Sequence, residues 1–490
     1  MRILLVAPRT PDTFWSFKHA LRFVSKQAAH PPLGLLTVAG MLPREWECRL
    51  VDMNVSRLRD KDIQWADYVM LSAMLIQKNG VEEVAARCCK LGKPVIGGGP
   101  LFTPDLDEFP DVAHVVVGEA EELIDDLVCD LMAGQPRPLY EAPRYPDITH
   151  TPIPRWDLVK MRHYGSMSVQ FTRGCPFDCE FCDVVALNGR VPRLKTPQQL
   201  LAELDALRHH GWDGSTFLVD DNFIGNRRKV KVLLRAIIGW RRDTGARMTF
   251  LTEASVNLAD DPELLRLMVE AGFKKVFLGI ETPNLESLKE CHKVQNTRTD
   301  LVTAVQTIQN AGMEVMGGFI VGFDSDTPDI FERQFEFIQK AGVVTAMVGL
   351  LQAVPRTKLY QRLAREGRLI GESLGDNTAA AFNFRPKLDR EYLMANYRKL
   401  MHKLYEPEAY YRRVRQFLDQ HKSRGPRMPV THRDIGALLK SLWLMGVIHR
   451  GRRAYWRFLT STLVRHPAQF GLAVTLAIYG HHFRLVAKTL

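Results

Sequence analysis

The sequence predicts an α/β fold in which a doubly wound parallel sheet is followed by an incomplete barrel of six β/α units and a helical carboxy-terminal region. Three observations predict it: short apolar runs alternate with helical patterns over residues 1–135, the alternation returns over residues 161–375, and strand signals fade over residues 376–490. Strands that alternate with helices form parallel sheets. A chain of 490 residues is long enough for about three such domains.

Composition excludes several classes of protein. Hydrophobic residues make up 46% of the chain and charged residues 25%, which excludes a disordered or collagen-like chain. No run of about 18 consistently apolar residues is present, so we expect no membrane-spanning helix. The start of the chain lacks the long apolar stretch and small-residue cleavage site of a secretory signal. These features favour a cytoplasmic protein.

The net charge of +11 lies mostly in the last part of the chain. The segment from Ile435 to Leu490 has eight Lys or Arg residues and no Asp or Glu, which leaves +3 for all the rest. A nucleic-acid partner is therefore not expected, because the basic character does not extend over the whole protein.

The first unit, residues 1–135, has the pattern of a doubly wound sheet, which binds ligands at the carboxyl ends of its strands. Residues 136–160 contain Pro136, Pro138, Pro143, Pro146, Pro152 and Pro154 and are predicted to be an extended linker. The strands predicted for this unit are Arg2–Ala7, Glu47–Val51, Tyr68–Ala73, Pro94–Ile96 and Ala113–Val117.

The second unit, residues 161–375, has six strand–helix repeats and predicts a partial β/α barrel. In this architecture the chemistry takes place where strands end and loops begin. The predicted strands are Met167–Phe171, Ser215–Val219, Met248–Thr252, Val276–Ile280, Val315–Val321 and Thr345–Leu351.

A cluster of cysteines follows the first barrel strand. Cys175, Cys179 and Cys182 have the spacing C-x3-C-x2-C. Three thiolates on one short loop can hold three irons of a 4Fe-4S cluster and leave the fourth iron open to an outside ligand. A zinc site would need a fourth Cys or His, and the first downstream histidine is the distant His209. The pattern favours the iron–sulfur cluster over zinc or three unrelated buried cysteines.

This loop at the end of the first barrel strand resembles that of the radical S-adenosylmethionine (SAM) enzymes. The resemblance implies that SAM chelates the open iron and is cleaved by one electron to a 5′-deoxyadenosyl radical, which abstracts hydrogen from an unactivated carbon. It also implies an electron donor such as flavodoxin or ferredoxin, and a backbone contact of Phe181 with the adenine.

Further candidate cofactor contacts lie at the ends of the other barrel strands. Asp220 and Asp221 follow the second strand, Glu253 ends the third and Glu281 ends the fourth. They suit the SAM ammonium, the ribose hydroxyls or the substrate, although each carboxylate alone is also typical of a helix N-cap or a solvated loop. Gly318 is similar to the family's glycine beneath the adenine, and a strand-end turn is the alternative.

In the amino-terminal unit, Ser72-Ala73 ends one predicted strand, Gly97-Gly98-Gly99 follows the next, and Gly118-Glu119 follows a third. With these residues the unit resembles the cobalamin-binding domain that precedes many radical SAM barrels. The glycine triplet has no side chains, so a large flat ligand can approach the backbone after this strand. A phosphate- or nucleotide-binding domain, or one without a ligand, is the alternative reading. The residues that the resemblance implies in cobalamin binding are Gly34, Ser72, Gly97, Gly98, Gly99, Gly118 and Glu119.

One loop departs from the cobalamin mutases and methionine synthase. Those enzymes use an Asp-x-His-x-x-Gly loop whose histidine ligates cobalt, whereas the comparable loop after Ala73, from Met74 to Gly80, contains no histidine. We therefore predict a bound cobalamin with no histidine ligand from the protein.

The last 56 residues mix Leu, Trp, Phe and Tyr with basic charge alone. Basic amphipathic helices with Trp are typical of segments that lie on an anionic membrane surface. The alternative is an ordinary helical cap with a solvated basic face. The longest apolar-rich stretch, Phe470–Gly480, is too short to span a membrane.

The whole arrangement resembles the hopanoid methylases that act at ring carbon 2. The resemblance implies a radical methylation of an unactivated carbon in an apolar polycyclic lipid, with the carboxyl edges of both α/β units converging on the substrate. The alternatives are a tetrapyrrole-modifying radical SAM methylase or cyclase, and a non-catalytic cobalamin-binding protein on the membrane surface.

Overall fold

The structure is a computed structural model that describes residues 1–373, 375–376, 378–422, 424 and 430–490. Its first sheet has six parallel strands in the order β2-β1-β3-β4-β5-β6. These strands are β1 (Arg2–Ala7), β2 (Glu47–Asp52), β3 (Tyr68–Ser72), β4 (Val95–Gly98), β5 (His114–Val117) and β6 (Leu139–Glu141).

Helices cover both faces of this sheet, which confirms the doubly wound prediction. Alternate β1 side chains enter opposite cores: Leu4 and Val6 pack on one side, Ile3 and Leu5 on the other. β6 was not predicted and lies inside the segment 136–160, which is therefore not a plain linker. The helices of this part are α1 (Lys18–Leu21), α2 (Leu33–Met41), α3 (Asp60–Trp65), α4 (Lys78–Lys90) and α5 (Ile124–Ala133).

The second sheet also has six parallel strands, in the order β14-β13-β12-β11-β10-β7, and this confirms the partial barrel. A short antiparallel pair, β8 with β9, stands apart from it and was not predicted. The strands are β7 (Met167–Val169), β8 (Thr172–Arg173), β9 (Arg193–Leu194), β10 (Ser215–Leu218), β11 (Thr249–Ala254), β12 (Phe273–Glu281), β13 (Glu314–Val321) and β14 (Thr345–Leu350).

The helices of the barrel pack on the outside of this sheet. In α9 the Asp261 side chain caps the first turn and Pro262 stands at the first helical position, as the sequence predicts. The helices are α6 (Val184–Asn188), α7 (Pro197–His209), α8 (Arg227–Thr244), α9 (Pro262–Ala271), α10 (Leu285–Glu290), α11 (Leu301–Ala311), α12 (Ile330–Ala341) and α13 (Lys358–Arg365).

The carboxy-terminal region is helical, as predicted. Its helices are α14 (Arg390–Tyr405), α15 (Pro407–Gln420), α16 (His432–Trp443), α17 (Arg452–Arg465) and α18 (Phe470–Ala487), with a π-helical turn, Leu444–Ile448, between α16 and α17. α14 joins the barrel where the Tyr397 hydroxyl donates to the Val348 carbonyl (3.0 Å). The fully buried Arg413 guanidinium donates to Gln339 Oε1 (3.0 Å) and the Leu404 carbonyl (3.2 Å).

The apolar stretch of the carboxy-terminal region is longer than the predicted Phe470–Gly480. Within the described residues one helix, Pro467–Ala487, is long and apolar enough to cross a membrane by length and composition. We find 56% of its apolar window buried inside the protein, as in the core helix of a globular domain. His482 shows this packing, because its Nε2 lies 3.2 Å from the Phe14 carbonyl.

Candidate functional site

The cysteine loop leaves the barrel after β7 and is closed at its base by the β8–β9 pair. Gly174 turns the chain into the loop with a φ of +96°, in the left-handed region that favours glycine. A Cβ at this position would lie 2.9 Å from the carbonyl oxygens of Asn188 and Gly189, so the close approach also requires glycine. Cys175 donates its backbone N–H to the Gly189 carbonyl (3.2 Å). The loop is therefore held in one shape.

The carboxylates after β10 support this loop from below. Asp220 Oδ1 accepts from the Phe171 N–H (2.8 Å), and Asp221 Oδ2 accepts from the Gly174 N–H (2.6 Å) and from Asn188 Nδ2 (2.9 Å). Burial raises the pKa of Asp220 to about 8. Asp220 is only 1% exposed, and it bonds to the backbone that leads into the cysteine loop. A cofactor contact for either carboxylate remains a prediction.

Two amide side chains donate hydrogen bonds to the cysteine sulfurs. Asn222 Nδ2 lies 3.8 Å from Cys175 Sγ, and Gln295 Nε2 lies 3.8 Å from Cys179 Sγ. Burial raises the pKa of Cys182 to about 12 and also raises that of Cys179. A metal that binds here would have to displace protons from buried thiols, and the amide donors would stabilise the thiolate charge that results.

No single-ion site exists here: within the described ranges no three His, Cys, Asp or Glu side chains converge closely enough to hold one metal ion. Zinc requires its ligands to meet at one point. A 4Fe-4S cluster binds each thiolate to a different iron, so its three sulfurs stand apart.

A buried ion pair lies beside the cysteines. Lys293 Nζ donates to Glu281 Oε1 (2.6 Å), and it lies 5.8 Å from the centroid of the Phe181 ring. Burial opposes the charge of Lys293, but the attraction of Glu281 and then of Cys179 outweighs it and raises the lysine pKa. Gly279 makes room for the pair, because a Cβ there would collide with Glu281 and lie 2.8 Å from Lys293 Nζ.

The barrel interior is partly open to solvent. On β11 the side chains that face the helices are buried, whereas the alternating Leu251 and Glu253 are half-buried. Glu253 has no hydrogen-bond partner among the described residues, and burial followed by repulsion from Asp221 raises its pKa to about 7. Gly318 also faces this interior, and a Cβ there would lie 2.7 Å from the Phe277 ring. Glu253 is thus the predicted carboxylate that is available to a ligand.

The predicted cobalamin residues lie at the carboxyl edge of the first sheet. Ser72 ends β3, and its Oγ lies 3.8 Å from where a Cβ of Gly34 would stand. Gly99 has a φ of +95°, and a Cβ on it would lie 2.8 Å from Ser72 Oγ. Gly118 has a φ of +99°, and a Cβ there would lie 2.7 Å from Ala142 Cβ. Gly99 and Gly118 are therefore required by the local backbone conformation and by close packing at this edge.

The other two glycines of the triplet have different surroundings. Gly97 is needed for packing, because its Cβ would lie within 2.6 Å of the Phe102 ring. Gly98 pairs with Ser72 across the sheet and has ordinary space around it. The loop after β3 begins with Met74, which is 54% exposed, and contains no histidine from Met74 to Gly80.

Glu119 connects the two α/β units. Its carboxylate forms ion pairs with Arg173, which precedes the cysteine loop, and with Arg193 Nη1 (3.0 Å), while Glu121 pairs with Arg173 at 2.8 Å. A second bridge runs from Arg356 Nη2 to the Phe102 carbonyl (3.1 Å). The loops after β5 and β4 therefore meet the cysteine loop and the loop after β14, which confirms that the carboxyl edges converge.

Sequence reasoning missed three residues of this site. None of the three directly follows a predicted strand, so the strand-end rule could not identify them. Their contacts with the cysteine loop and with Glu281 arise only in the folded protein; the residues are Gln295, Lys293 and Gly279. Asn222, next to the predicted Asp221, was visible as a polar residue after a strand.

Domain models match three consecutive parts of the chain: the B12 binding domain over residues 22–128, the radical SAM superfamily over 169–365, and a domain of unknown function, DUF4070, over 357–490. Among curated proteins, an uncharacterized methyltransferase of Synechocystis is 42% identical over 99% of this chain and 91% of its own. The hopanoid C-2 methylase of Rhodopseudomonas palustris is 35% identical over 99% and 94%.

Two solved structures share the fold. OxsB, a cobalamin-dependent SAM radical enzyme solved with aqua-cobalamin and SAM, superposes with a TM-score of 0.62 at 15% identity, covering 100% of this chain and 79% of its own. The radical SAM methyltransferase TsrM of Kitasatospora setae, solved with cobalamin and a [4Fe-4S] cluster, gives 0.58 at 15% identity and covers 76% of each chain.

Proposed function

Since this chain belongs to the cobalamin-dependent radical SAM methyltransferases, we propose that it methylates an unactivated carbon of an apolar polycyclic lipid of the hopanoid type. The observation that carries the substrate proposal is the pair of half-buried apolar side chains, Leu251 and Ile320, in the partly open barrel interior. Methyltransferase relatives of nearly full length argue against a non-catalytic cobalamin-binding protein.

The residues present fit the three cofactors of this chemistry. Cys175, Cys179 and Cys182 would hold the 4Fe-4S cluster, and Glu253, open to the barrel interior, would contact SAM. The backbone edge at Ser72 and Gly99 would hold cobalamin. When bound, the cluster and SAM supply the radical that activates the substrate carbon, and cobalamin supplies the methyl group. The converging edges would bring both cofactors to one interior.

The side chains of this interior are suited to hydrocarbon. Leu251 and Ile320 are half-buried on β11 and β13, where the outward-facing neighbours are fully buried. Phe277 on β12 packs against Trp15, with ring centroids 4.9 Å apart. A rigid polycyclic hydrocarbon gains free energy by leaving water for such a surface.

A tetrapyrrole is the second candidate substrate, because the bacteriochlorophyllide d C-12(1)-methyltransferase of Chlorobaculum tepidum is 24% identical over 84% of this chain and 89% of its own. Tetrapyrrole carboxylates would require cationic partners in a buried site. The nearby lysines are already engaged, Lys293 by Glu281 and Lys275 by Glu314 (3.0 Å). This favours the uncharged lipid.

Two partners complete the proposal. A one-electron donor such as flavodoxin or ferredoxin would reduce the cluster, and the lipid substrate would be taken from a membrane by a peripherally bound enzyme.

The proposal is tested by expressing the chain in a hopanoid-producing strain that lacks its own methylase, followed by mass spectrometry of the lipids. We expect hopanoids heavier by one methylene group, and none from the Cys182→Ala control. If the hopanoids are unaltered but the purified reduced enzyme cleaves SAM, the hopanoid substrate is refuted and the radical SAM chemistry is not.

A further inference from the structure

Exposed hydrophobic side chains are concentrated in one short part of this protein. Of the twenty large hydrophobic residues that are exposed among the described residues, nine lie between positions 430 and 464. Both exposed tryptophans are among them, Trp443 at 64% and Trp456 at 43%. The nine residues are Val430, Ile435, Leu439, Trp443, Val447, Ile448, Trp456, Leu463 and Val464.

These residues form a face rather than a scatter. Ile435, Leu439 and Trp443 follow one another at four-residue intervals along α16, so they lie on one side of the helix, opposite the buried Ala437. Trp456 Nε1 on α17 donates to the Gly446 carbonyl in the π-helical turn (3.0 Å) and so joins the two helices. We call this surface of α16, the turn and α17 the apolar tail face.

The apolar tail face is anchored to the rest of the molecule. Lys440 Nζ, on the other side of α16, donates to the carbonyls of Arg22 (3.3 Å) and Phe23 (3.2 Å) and to Ser25 Oγ (3.2 Å). On α17 the buried Tyr455 and Phe458 pack inward, and the Tyr455 hydroxyl lies 2.8 Å from Ser441 Oγ. The exposed residues are therefore displayed by packed helices.

Positive charge surrounds this face. Residues 435–490 contain eight Lys or Arg and no Asp or Glu. Burial lowers the pKa of Arg415, and the neighbouring guanidinium groups of Arg457, Arg412 and Arg465 lower it further. Three acidic groups lie nearby: Asp434 in the first turn of α16, Asp419 beside His466 (2.8 Å), and Glu408 at 3.9 Å from Arg457.

We propose that the apolar tail face docks this enzyme onto an anionic lipid bilayer, with Trp443 and Trp456 in the interface and the arginines around them on the headgroups. Apolar side chains and tryptophans flanked by cations are the chemistry that binds such a surface. A second copy of the chain does not fit, because it would bring the same cations against one another. This docking would give the enzyme access to a lipid substrate, and in that respect it rests on the proposed function.

Vesicle flotation tests the proposal, using the full-length protein with vesicles of phosphatidylcholine alone or mixed with phosphatidylglycerol. We expect flotation with the anionic vesicles and a blue shift of tryptophan fluorescence. Trp443→Glu should weaken binding by about tenfold or more, and Arg452→Gln with Arg453→Gln by about 30-fold. The matched control is Val232→Glu on α8, because Val232 is also an exposed hydrophobic residue but lies outside the face. This variant should bind like the parent.

Several results would overturn the proposal: no binding of the parent protein to anionic vesicles, equal binding of Trp443→Glu and the parent, or a dimer in sedimentation that Trp443→Glu dissociates. SAM cleavage by the same variants is measured in parallel and should be unchanged. If the parent protein does not cleave SAM, the proposed function is refuted. If the parent cleaves SAM but does not bind anionic vesicles, only the docking is refuted.

Discussion

Gln295 reaches Cys179 across 116 residues of sequence and donates its amide N–H to the cysteine sulfur at 3.8 Å. Gln295 is buried, and its Oε1 has no hydrogen-bond partner among the described residues. The amide is thus oriented by the sulfur and not by a competing network. Hydrogen bonds to cluster ligands stabilise the more negative, reduced state.

Gln295→Leu should therefore lower the reduction potential of the cluster and slow reductive SAM cleavage about tenfold, since outer-shell partners of metal ligands contribute effects of that order. The potential is measured by redox titration followed by electron paramagnetic resonance. Gln309→Leu is the control, because Gln309 is also buried but donates to the Gly342 carbonyl in the outer layer. An unchanged potential in Gln295→Leu would show that the amide does not act on the cluster.

Gly34→Phe should abolish cobalamin binding while SAM cleavage persists. The space beside Gly34 is open in the protein, with Ser72 Oγ at 3.8 Å, so the new ring would occupy the room expected for the ligand. Binding is measured by absorbance after gel filtration. Gly239→Phe on α8 has similarly open space and should bind cobalamin as the parent does. Normal cobalamin binding by Gly34→Phe would remove Gly34 from the site.

Bound cob(II)alamin should show no hyperfine splitting from an axial nitrogen in its electron paramagnetic resonance spectrum. The loop from Met74 to Gly80 offers no histidine to cobalt. Splitting from a protein nitrogen would contradict this prediction.

Asp220→Asn should change how stability depends on pH. Burial raises the pKa of Asp220 to about 8 in the folded protein, far above its ordinary value near 3.8. A group with a raised folded pKa gives its full stabilisation below the unfolded pKa and loses it as the pH rises through the folded pKa. The parent should therefore lose stability relative to Asp220→Asn between about pH 4 and pH 8.

Apparent melting temperatures of the two proteins, measured across this pH range, test the prediction. The control is Asp260→Asn at an exposed position. A constant difference between the parent and Asp220→Asn would show that Asp220 does not ionise in this range.

The sequence predicted most of the two sheets because most of the parallel strands are buried on at least one face and are bounded by turns. β1 begins and ends where expected, and the six barrel strands lie within a few residues of their predicted positions. β6 was missed because its three residues lie among prolines, and the β8–β9 pair because two residues carry no periodicity. The length of α18 was underestimated because its histidines and Arg484 interrupt the apolar run.

The site was predictable only in part. The cysteines are neighbours in sequence, so their spacing revealed them, and Ser72 and Gly99 were placed by the strand-end rule. Glu119 was also at a strand end, but its partners Arg173 and Arg193 lie on another unit, and an interdomain ion pair leaves no local pattern.

The central claim is that Cys175, Cys179 and Cys182 together hold a cluster that cleaves SAM. The direct test is formation of 5′-deoxyadenosine by anaerobically reconstituted, reduced protein, with Cys182→Ala compared with Cys291→Ala. Cys291 is a matched control, because it is buried beside the loop and its carbonyl accepts the Glu180 N–H (3.0 Å). We expect Cys182→Ala to lose cleavage and Cys291→Ala to retain it; cleavage by Cys182→Ala at the parental rate would contradict the account.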